Sequence, residues 1–432
     1  MFPEKEKAIL RELYKRKCIP LPHGGQNRIL DTTKYLPVVD HPHMQRLKEV
    51  KQLANAHRIF PDATHSRFLH SLDTACWQIQ RSEFWSRYGM ITPEDAEHLN
   101  VYALIHDIGH GPFSHVLDRV CSSSHDENGA KKITEMKREI EKCGVSFARI
   151  KALFDEEDPL YKSVMHHPLG TDKFSYLSLD AVHCMPGAPD LGYLPEYIFW
   201  LDGQMMVHVK CADDAIDLKW FYIKMYRKVY LRKSCLIGQR VLEKEIFHLL
   251  HSGKLDESSL WDLTDEQLVA LICRTARGRR GYERYKYRSS KCVVAFKMDG
   301  FKWTENVSEK PLSIIEKDVG FFDVLSDNSS PKELDKKERE LAKLLGIDPL
   351  DLDIVPPMAV YRFTPPPLTI VNGYKTFIDN EEYKDDAAAI QERARACTVM
   401  RVCVTRELRS VVHKQTKMIE EFFDEWVKEL QR

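Results

Sequence analysis

Four polar side chains, far apart along the chain, have the types needed to hold one divalent cation. His106 and Asp107 are adjacent, with Gly109, His110 and Gly111 close behind. Neighbours on a helix point about 100° apart, a splay that still lets an imidazole and a carboxylate reach one ion between them. The glycines stop the helix and allow backbone to approach a ligand closely. Alone, the dipeptide reads as a surface histidine beside a capping aspartate. Alone, His70 is a satisfied core histidine between Phe68 and Leu72, and Asp172 a helix-start cap after Gly170–Thr171. Together, on separate helices, they make a set of two neutral imidazoles and two carboxylates. That set suits Fe, Mn, Co, Ni or Zn, with Mg also acceptable. It leaves coordination positions for water and a phosphate oxygen.

Cations accompany the ligands. Arg67 precedes His70 by three residues, on the same helix face, and guanidinium grips phosphate in bidentate fashion. Lys173 follows Asp172 and can hold phosphate charge. Asp172, Tyr176 and Asp180 recur every four residues and share one face, where Tyr and Asp can meet sugar and base edges. Taken singly, an exposed amphipathic helix explains them as well.

The elements that must position these residues read as mainly α. Apolar residues recur at helical spacing from Pro42 to about Gln80 (Met44, Leu47, Val50, Leu53, then Phe68, Leu72, Ala75, Cys76), with a break at Phe60–Pro61–Asp62–Ala63. A third helix starts at Thr92–Pro93–Glu94, with Thr92 and Asp95 placed as a capping box, and runs to Gly109. Residues 1–40 read as a short helix and an irregular lead-in holding Gly24 and Gly25. Residues 184–195, with three prolines and two glycines, read as a linker. Helices are expected over 213–251, as one piece over 264–280, over 332–345 and over 409–430. Strands are expected at Val293–Phe296, Met358–Phe363 (bounded on its leading side by Pro356–Pro357) and Leu368–Val371. The expected organisation is a lead-in (1–40), a helical domain (41–290) and a smaller α+β C-terminal region (291–432).

Composition narrows the classes. Of 432 residues, 43% are hydrophobic and 30% charged, a soluble globular balance. Lys plus Arg number 64 against 65 Asp plus Glu, so no global basic field draws nucleic acid. The 11 cysteines contain no CxxC pair, which argues against a zinc ribbon. Met1–Ile9 is charged early, unlike a signal peptide, and no apolar run is long enough to span a bilayer. A reducing, cytoplasmic or nuclear setting is expected.

The blocks around these residues resemble a known family. Gln45–Arg46–Leu47, Lys51–Gln52–Leu53 and Phe60–Pro61–Asp62–Ala63–Thr64–His65–Ser66–Arg67–Phe68–Leu69–His70–Ser71–Leu72 look like the first block of the HD-domain dNTP triphosphohydrolases. His106 to His115 (HDIGHGPFSH) is similar to the second block, and Asp172–Lys173–Phe174–Ser175–Tyr176 to the third. The closest branch is the one with vertebrate sterile-alpha-motif members and their bacterial relatives. The resemblance implies a metal held by His70, His106, Asp107 and Asp172, and phosphates bound by Arg67 and Lys173. It implies Gln52 and Leu53 at the deoxyribose, Tyr176 closing its 2′ side and Asp180 assisting. It implies an acid/base group of His110, His115, Asp118 and His125 around the scissile phosphate. The implied reaction splits a dNTP into deoxynucleoside and triphosphate, in a homo-oligomer (dimer or tetramer), with a nucleotide activator also in prospect. Leu69 stands where the family usually has Glu. Ala54, Asp62 and Asp73 replace glycines. Tyr226 and Arg232 replace histidines of the vertebrate members, and Lys48 replaces an activator-site Arg beside the matching Asp40 and Gln45.

Rival readings keep the site and change the substrate to another nucleotide or to single-stranded nucleic acid. A further rival is a nucleic-acid-binding protein. It draws on Arg274, Arg277, Arg279, Arg280, Arg284, Lys286 and Arg288, interleaved with Tyr282, Tyr285 and Tyr287. The neutral remainder of the chain favours a solvated or phosphate-facing surface there.

Overall fold

The computed structural model describes residues 2–23, 26–287, 292–299 and 313–432. Gly24, Gly25, Arg288 and the expected 290/291 boundary lie outside the described residues. The fold is a helical body with a smaller strand-containing C-terminal region.

The chain opens with α1 (Glu4–Lys15), as expected. The rest of the lead-in is not irregular. It forms an antiparallel hairpin of β1 (Cys18–His23) and β2 (Gln26–Asp31). Arg28 of β2 reaches the buried Asp73 at 2.6 Å and stacks over Trp77. Asp73 therefore occupies a usual glycine position as the partner of a buried guanidinium. Residues 42–59 make only short turns, a helix at Pro42–Arg46 and single 3₁₀ turns at Leu47–Glu49 and Ala56–Arg58, rather than one long helix. Their apolar residues still face the core: Met44, Leu47 and Val50 are fully buried. Ala54, at another usual glycine position, holds φ 47°, a left-handed conformation that an L side chain rarely adopts.

Three helices carry the candidate ligands. α2 (Arg67–Arg87) starts at Ser66, whose hydroxyl accepts the Leu69 N–H. α3 (Pro93–Ile105) begins with the expected capping box of Thr92 and Asp95 and stops four residues before Gly109, with His106 as its C-cap. After α4 (Val116–Val120) and α5 (His125–Glu135), the latter with its own Ser124/Glu127 capping box, comes α6 (Thr171–Cys184). α2 packs on both α3 and α6. One apolar cluster includes Leu72, Ala75, Leu99, Leu104, Phe174 and Leu177. Burying such side chains stabilises by about 1.5–3 kcal/mol each.

The irregular stretch after α6 is as expected. It leads into a hairpin the sequence reading omitted, β3 (Ile198–Leu201) and β4 (Gln204–His208). Then come α7 (Ala212–Met225), continued by a π turn at Tyr226–Tyr230, and α8 (Lys233–His251). Residues 264–280 are not one helix. α9 (Asp265–Ile272) and α10 (Ala276–Lys286) are separate, because Thr275 caps a new start by accepting the Gly278 N–H.

The C-terminal region holds a four-stranded sheet ordered β6–β5–β10–β7, from β5 (Val293–Asp299), β6 (Ser313–Glu316), β7 (Leu352–Val355) and β10 (Val399–Val404). α11 (Val319–Asn328), α12 (Pro331–Leu345) and α14 (Thr416–Leu430) pack with it around Phe296, Phe322, Leu341 and Phe423. Met358–Phe363 is not a strand but a 3₁₀ turn at Val360–Arg362. Pro356–Pro357 end β7 rather than introduce the next strand. The real successors, β8 (Thr369–Asn372) and β9 (Lys375–Ile378), extend the β3–β4 hairpin, with β8 parallel to β4. α13 (Lys384–Arg395) packs on α7. The second sheet thus links residues on both sides of the expected boundary. No described helix is long and apolar enough to cross a membrane.

The turn that launches α6 sets Asp172. His167 Nδ1 accepts the Leu169 N–H at 3.1 Å, and the Asp172 N–H meets the Val164 carbonyl at 3.1 Å. A Cβ on Gly170 would sit 2.4 Å from that same carbonyl oxygen. Burial, with Arg81 and Lys173 nearby, pulls the His167 imidazole from 6.5 to about 3. Between these values the unfolded chain binds the proton and the folded one does not. The stabilising effect of neutral His167 is therefore complete above 6.5 and is lost as pH falls toward 3. Thermal melts from pH 7 to pH 4 should show His167→Gln losing less melting temperature than the unmodified chain. Equal losses would remove His167 as a pH-sensitive strut.

Candidate metal centre and its histidine cluster

His70 from the first turn of α2, His106 from the end of α3 and Asp172 from the first turn of α6 converge. His70 Nε2 lies 3.3 Å from His106 Nε2 and 3.0 Å from Asp172 Oδ1, and His106 Nε2 lies 3.5 Å from the same oxygen. Asp107 spans the two rings, with Oδ2 at 3.3 Å from His70 Nε2 and Oδ1 at 3.6 Å from His106 Nε2. The outer ring nitrogens are engaged: His106 Nδ1 with the Ala103 carbonyl at 2.8 Å and His70 Nδ1 with Ser175 Oγ at 3.1 Å. Nδ1–H of His106 donates outward, so its Nε2 lone pair points inward, as in a metal ligand fixed by an outer hydrogen bond. His70, His106 and Asp172 bring their inner atoms within 4.8 Å of one another, and Asp107 adds carboxylate oxygens 3.3 and 3.6 Å from the two rings, a donor set of the kind that suits one divalent ion. Asp172 keeps 23% of its side-chain exposure while His70 keeps 1%, so solvent reaches the cluster from the Asp172 side.

A second cluster stands against the first. His110, His115, Asp118 and His125 bring nitrogen and oxygen atoms within 4.8 Å of one another. Asp118 Oδ2 accepts from His115 Nδ1 at 3.0 Å and from His125 Nδ1 at 2.9 Å. His110 stacks on His125 with centroids 4.0 Å apart. Its Nε2 lies 3.3 Å from Asp107 Oδ1, which joins the clusters. Gly109 permits this. A Cβ there would come within 1.9 Å of the His125 carbonyl oxygen and 2.4 Å of the Gly129 nitrogen, so only glycine lets the HD turn lie against α5. The next turn is strained too, with Phe113 at φ 56° and Ser114 at φ 53°.

Electrostatics divides the histidines. Burial, reinforced by Arg67 and His125, pushes His110 well below its ordinary value and keeps it neutral. Burial would also lower His125, but Asp118 overrides it and raises the imidazole. Burial would raise Asp118, yet the hydrogen bonds from His115 and His125 hold it far below the usual carboxylate range. The cluster thus pairs a proton-rich imidazole with a neutral one.

The remaining expected residues are distributed as follows. Arg67 is buried and engages Asp107 Oδ2 at 2.5 Å through Nη1 and Ser114 Oγ at 2.9 Å through Nε. Lys173 is half-buried over the Tyr222 ring at 5.0 Å. Burial lowers its ammonium, partly offset by Asp172. Tyr176 stands 6.5 Å from the His70 ring. Gln52 is pinned by its backbone to His65, and its buried Oε1 has no partner among the described residues. Leu53 beside it is half-buried. Asp180 is enclosed, with Oδ1 at 2.8 Å from His65 Nε2 and Oδ2 accepting from the Tyr230 hydroxyl at 2.7 Å.

Sequence reasoning gave no role to His65, Ser114, Ser175 or Arg46, and took Tyr226 only as a replacement for a histidine, not as part of a tyrosine row. Arg46 Nη2 donates to the His110 carbonyl. Tyr222, Tyr226 and Tyr230 contact one another in series, tilted at 4.8 Å and edge to face at 5.1 Å. Their spacing of four was a visible signal. His65 and Ser114 act through hydrogen bonds that no periodicity reveals.

This arrangement coincides with a family match. Residues 67–173 match the model of the HD domain, so the chain carries an HD domain. Its relatives are distant. Protein MJ1154 of Methanocaldococcus jannaschii is 28% identical over 245 residues, covering 55% of this chain and 51% of its own length. The deoxynucleoside triphosphate triphosphohydrolase SAMHD1 of Gallus gallus is 39% identical over 85 residues, 19% of this chain and 14% of that protein. A phosphohydrolase from Bacteroides thetaiotaomicron has a similar fold, with a TM-score of 0.64, 19% identity and coverage of 85% of this chain and 95% of its own. The chain therefore spans about half the length of the archaeal relative and a small part of SAMHD1.

Elemental analysis of purified protein tests the separation of the clusters. His106→Ala and Asp107→Ala should each strip the bound divalent metal, whereas Asp118→Asn should leave it in place. Metal loss in Asp118→Asn, or retention in both alanine variants, would contradict the assignment.

Proposed function

We propose that the chain is a metal-dependent HD phosphohydrolase that acts on deoxynucleoside triphosphates and releases deoxynucleoside and triphosphate. One observation carries the reading: an imidazole–carboxylate metal set adjoins a second, proton-bearing histidine cluster, with His110 Nε2 3.3 Å from Asp107 Oδ1. The choice of dNTP is supported by the activity named for SAMHD1. It is supported further by the orphaned Gln52 Oε1, Leu53 and Tyr176 on elements that adjoin the cluster.

His70, His106, Asp107 and Asp172 would hold the ion. When bound, a divalent ion (Fe, Mn, Mg, Co, Ni or Zn) neutralises phosphate charge and makes water a better nucleophile. The chain's own groups do the rest. Arg67 holds Asp107 in place through a charge-assisted hydrogen bond. Lys173 offers a partly desolvated cation to the triphosphate. His125, whose imidazole Asp118 makes more basic, delivers its proton to the departing 5′-oxygen, with neutral His110 stacked against it. Gln52 meets the 3′-hydroxyl, and Tyr176 fills the space a 2′-hydroxyl would need, with Asp180 steadying the wall through Tyr230. The same reading places the protein in the cytoplasm or nucleus as a dimer or tetramer.

A second reading, hydrolysis of a less charged nucleotide, has one observation in its favour. Two of the Arg67 donors are spent on Asp107 and Ser114, and Arg46 is spent on the His110 and Leu263 carbonyls, so Lys173 is left to meet phosphate charge.

Incubation with each dNTP, the four NTPs and nucleoside monophosphates, in Mn or Mg, decides between them. Deoxynucleoside and triphosphate are the expected products from dNTPs. Monophosphate and pyrophosphate would refute that outcome, and turnover of monophosphates alone would select the second reading. Asp118→Asn should slow turnover by about 10²–10⁴-fold, the usual worth of positioned acid–base groups. An unchanged rate would remove the cluster from the chemistry.

A further inference from the structure

Asp265 is the first residue of α9 and is 2% exposed. Capping of the helix does not draw on it. The Thr264 hydroxyl accepts the Gln267 N–H, and the Gln267 side chain accepts the Thr264 N–H at 2.9 Å. The packing of α9 rests on Leu268 and Ile272, in a cluster with Phe113, Leu117 and Trp261. Both Asp265 oxygens bond outside the helix. Oδ1 accepts the Phe113 N–H at 2.8 Å, and Oδ2 accepts the Lys51 N–H at 3.2 Å. The Lys51 ammonium stands 3.5 Å from the same Oδ2. Burial raises the carboxyl above its ordinary value, and these donors pull it back. A buried carboxylate is costly unless it is hydrogen-bonded, and here the bonds come from two segments far apart in the chain.

Both segments belong to the site. Phe113 lies in the loop from His110 to His115, where Phe113 at φ 56° and Ser114 at φ 53° hold left-handed conformations. Such backbone persists only where its surroundings over-determine it, and the bond from the Phe113 amide to Asp265 is one determinant. Lys51 lies in the strap that pairs with Ser66 and leads into Gln52. Loop and strap also meet each other. Ser114 Oγ donates to the Lys51 carbonyl at 2.8 Å and accepts from Arg67 Nε at 2.9 Å. Asp265, Phe113, Ser114 and Lys51 thus close a ring of hydrogen bonds, and Arg67 connects it to Asp107. The HD match ends at residue 173, so Asp265 reaches the site from outside the matched domain.

We propose that Asp265 is a positioning residue of the hydrolytic site, its two oxygens clasping the His110–His115 loop and the Lys51–Gln52 strap in one fixed register. It acts through these segments and not on the substrate. What it fixes is the placement of His115 beside Asp118 and of Gln52 beside the nucleotide. The role rests on the phosphohydrolase reading of the site and not on the choice of nucleotide.

Asp265→Asn keeps the shape but turns one acceptor into a donor, so it can accept only one of the two N–H groups in these positions. In the full chain, hydrogen–deuterium exchange read by mass spectrometry should quicken by about tenfold or more over 49–53 and 111–116, and stay unchanged over 266–272. Asp265→Ser, smaller and able to accept one N–H, is measured beside it and should give the same pattern. Circular dichroism checks that both variants are folded, and elemental analysis should find their metal retained. For any nucleotide the unmodified chain hydrolyses, kcat should fall by about 10–10²-fold in Asp265→Asn, the scale of a small misplacement of reacting groups. Exchange that quickens in α9 alone, or in neither segment, overturns the proposal, because Asp265 would then serve only its own helix. Loss of the metal or an undiminished kcat overturns it too. The exchange readout needs no substrate. A chain that hydrolyses no nucleotide would refute the phosphohydrolase reading, while the exchange pattern would still decide the clasp.

Discussion

Two imidazole nitrogens, His70 Nε2 and His106 Nε2, face each other across 3.3 Å with carboxylate oxygens on either side. Lone pairs at that distance repel unless a proton or a cation sits between them. Holding them there needs rigid support, and the helical body supplies it. α2 and α3 pack side by side, α6 lies across α2, and the outer nitrogens are tied to Ala103 and Ser175. Arg67 performs the same service for Asp107. A donor set held this way would have little conformational freedom left to lose on binding an ion.

The C-terminal region is fastened to this body by buried charge. Arg240 on α8 meets Glu338 on α12 at 2.9 Å, Lys244 meets the same carboxylate at 3.0 Å, and Arg284 on α10 meets Asp353 on β7 at 2.5 Å. Desolvating such ions is costly unless each is paired, so the network specifies one docking geometry more than it adds stability. One branch reaches the chemistry. Glu243 on α8 holds Arg119 at 2.8 Å, and Arg119 is the neighbour of Asp118 on α4. Arg119 also donates through Nη2 to the Ser329 carbonyl at 3.2 Å, so the C-terminal region braces the short helix that carries Asp118.

The parts that could be read from the sequence are those governed by local rules. The capping box at Thr92 and Asp95, the long periodic helices and the candidate status of His70, His106, Asp107 and Asp172 all follow from side-chain chemistry at short range. The errors fall where tertiary contacts override local preference. Residues 42–59 carry helical periodicity but form tight turns, because the backbone at Lys51 and Gln52 pairs with Ser66 and His65. Val360 and Phe363 have strand-forming side chains, yet they are buried from a 3₁₀ turn. The β3–β4–β8–β9 sheet joins segments far apart in the chain, and no local signal records such a pairing. Asp180 was legible as a helix-face carboxylate. That His65 and Tyr230 would claim both its oxygens was not.

A near-zero net charge conceals how the cations are spent. In the basic stretch before residue 288, Arg277 is held by Glu245, Arg280 by Asp348 and Asp351, and Arg284 by Asp353. Three of its six described cations are thus neutralised by carboxylates, and of its tyrosines Tyr285 is buried against Phe113 while Tyr287 is exposed. Lys173, next to Asp172 and over the Tyr222 ring, is in no ion pair among the described residues, so its ammonium is not spent on a neighbouring carboxylate as those three guanidiniums are.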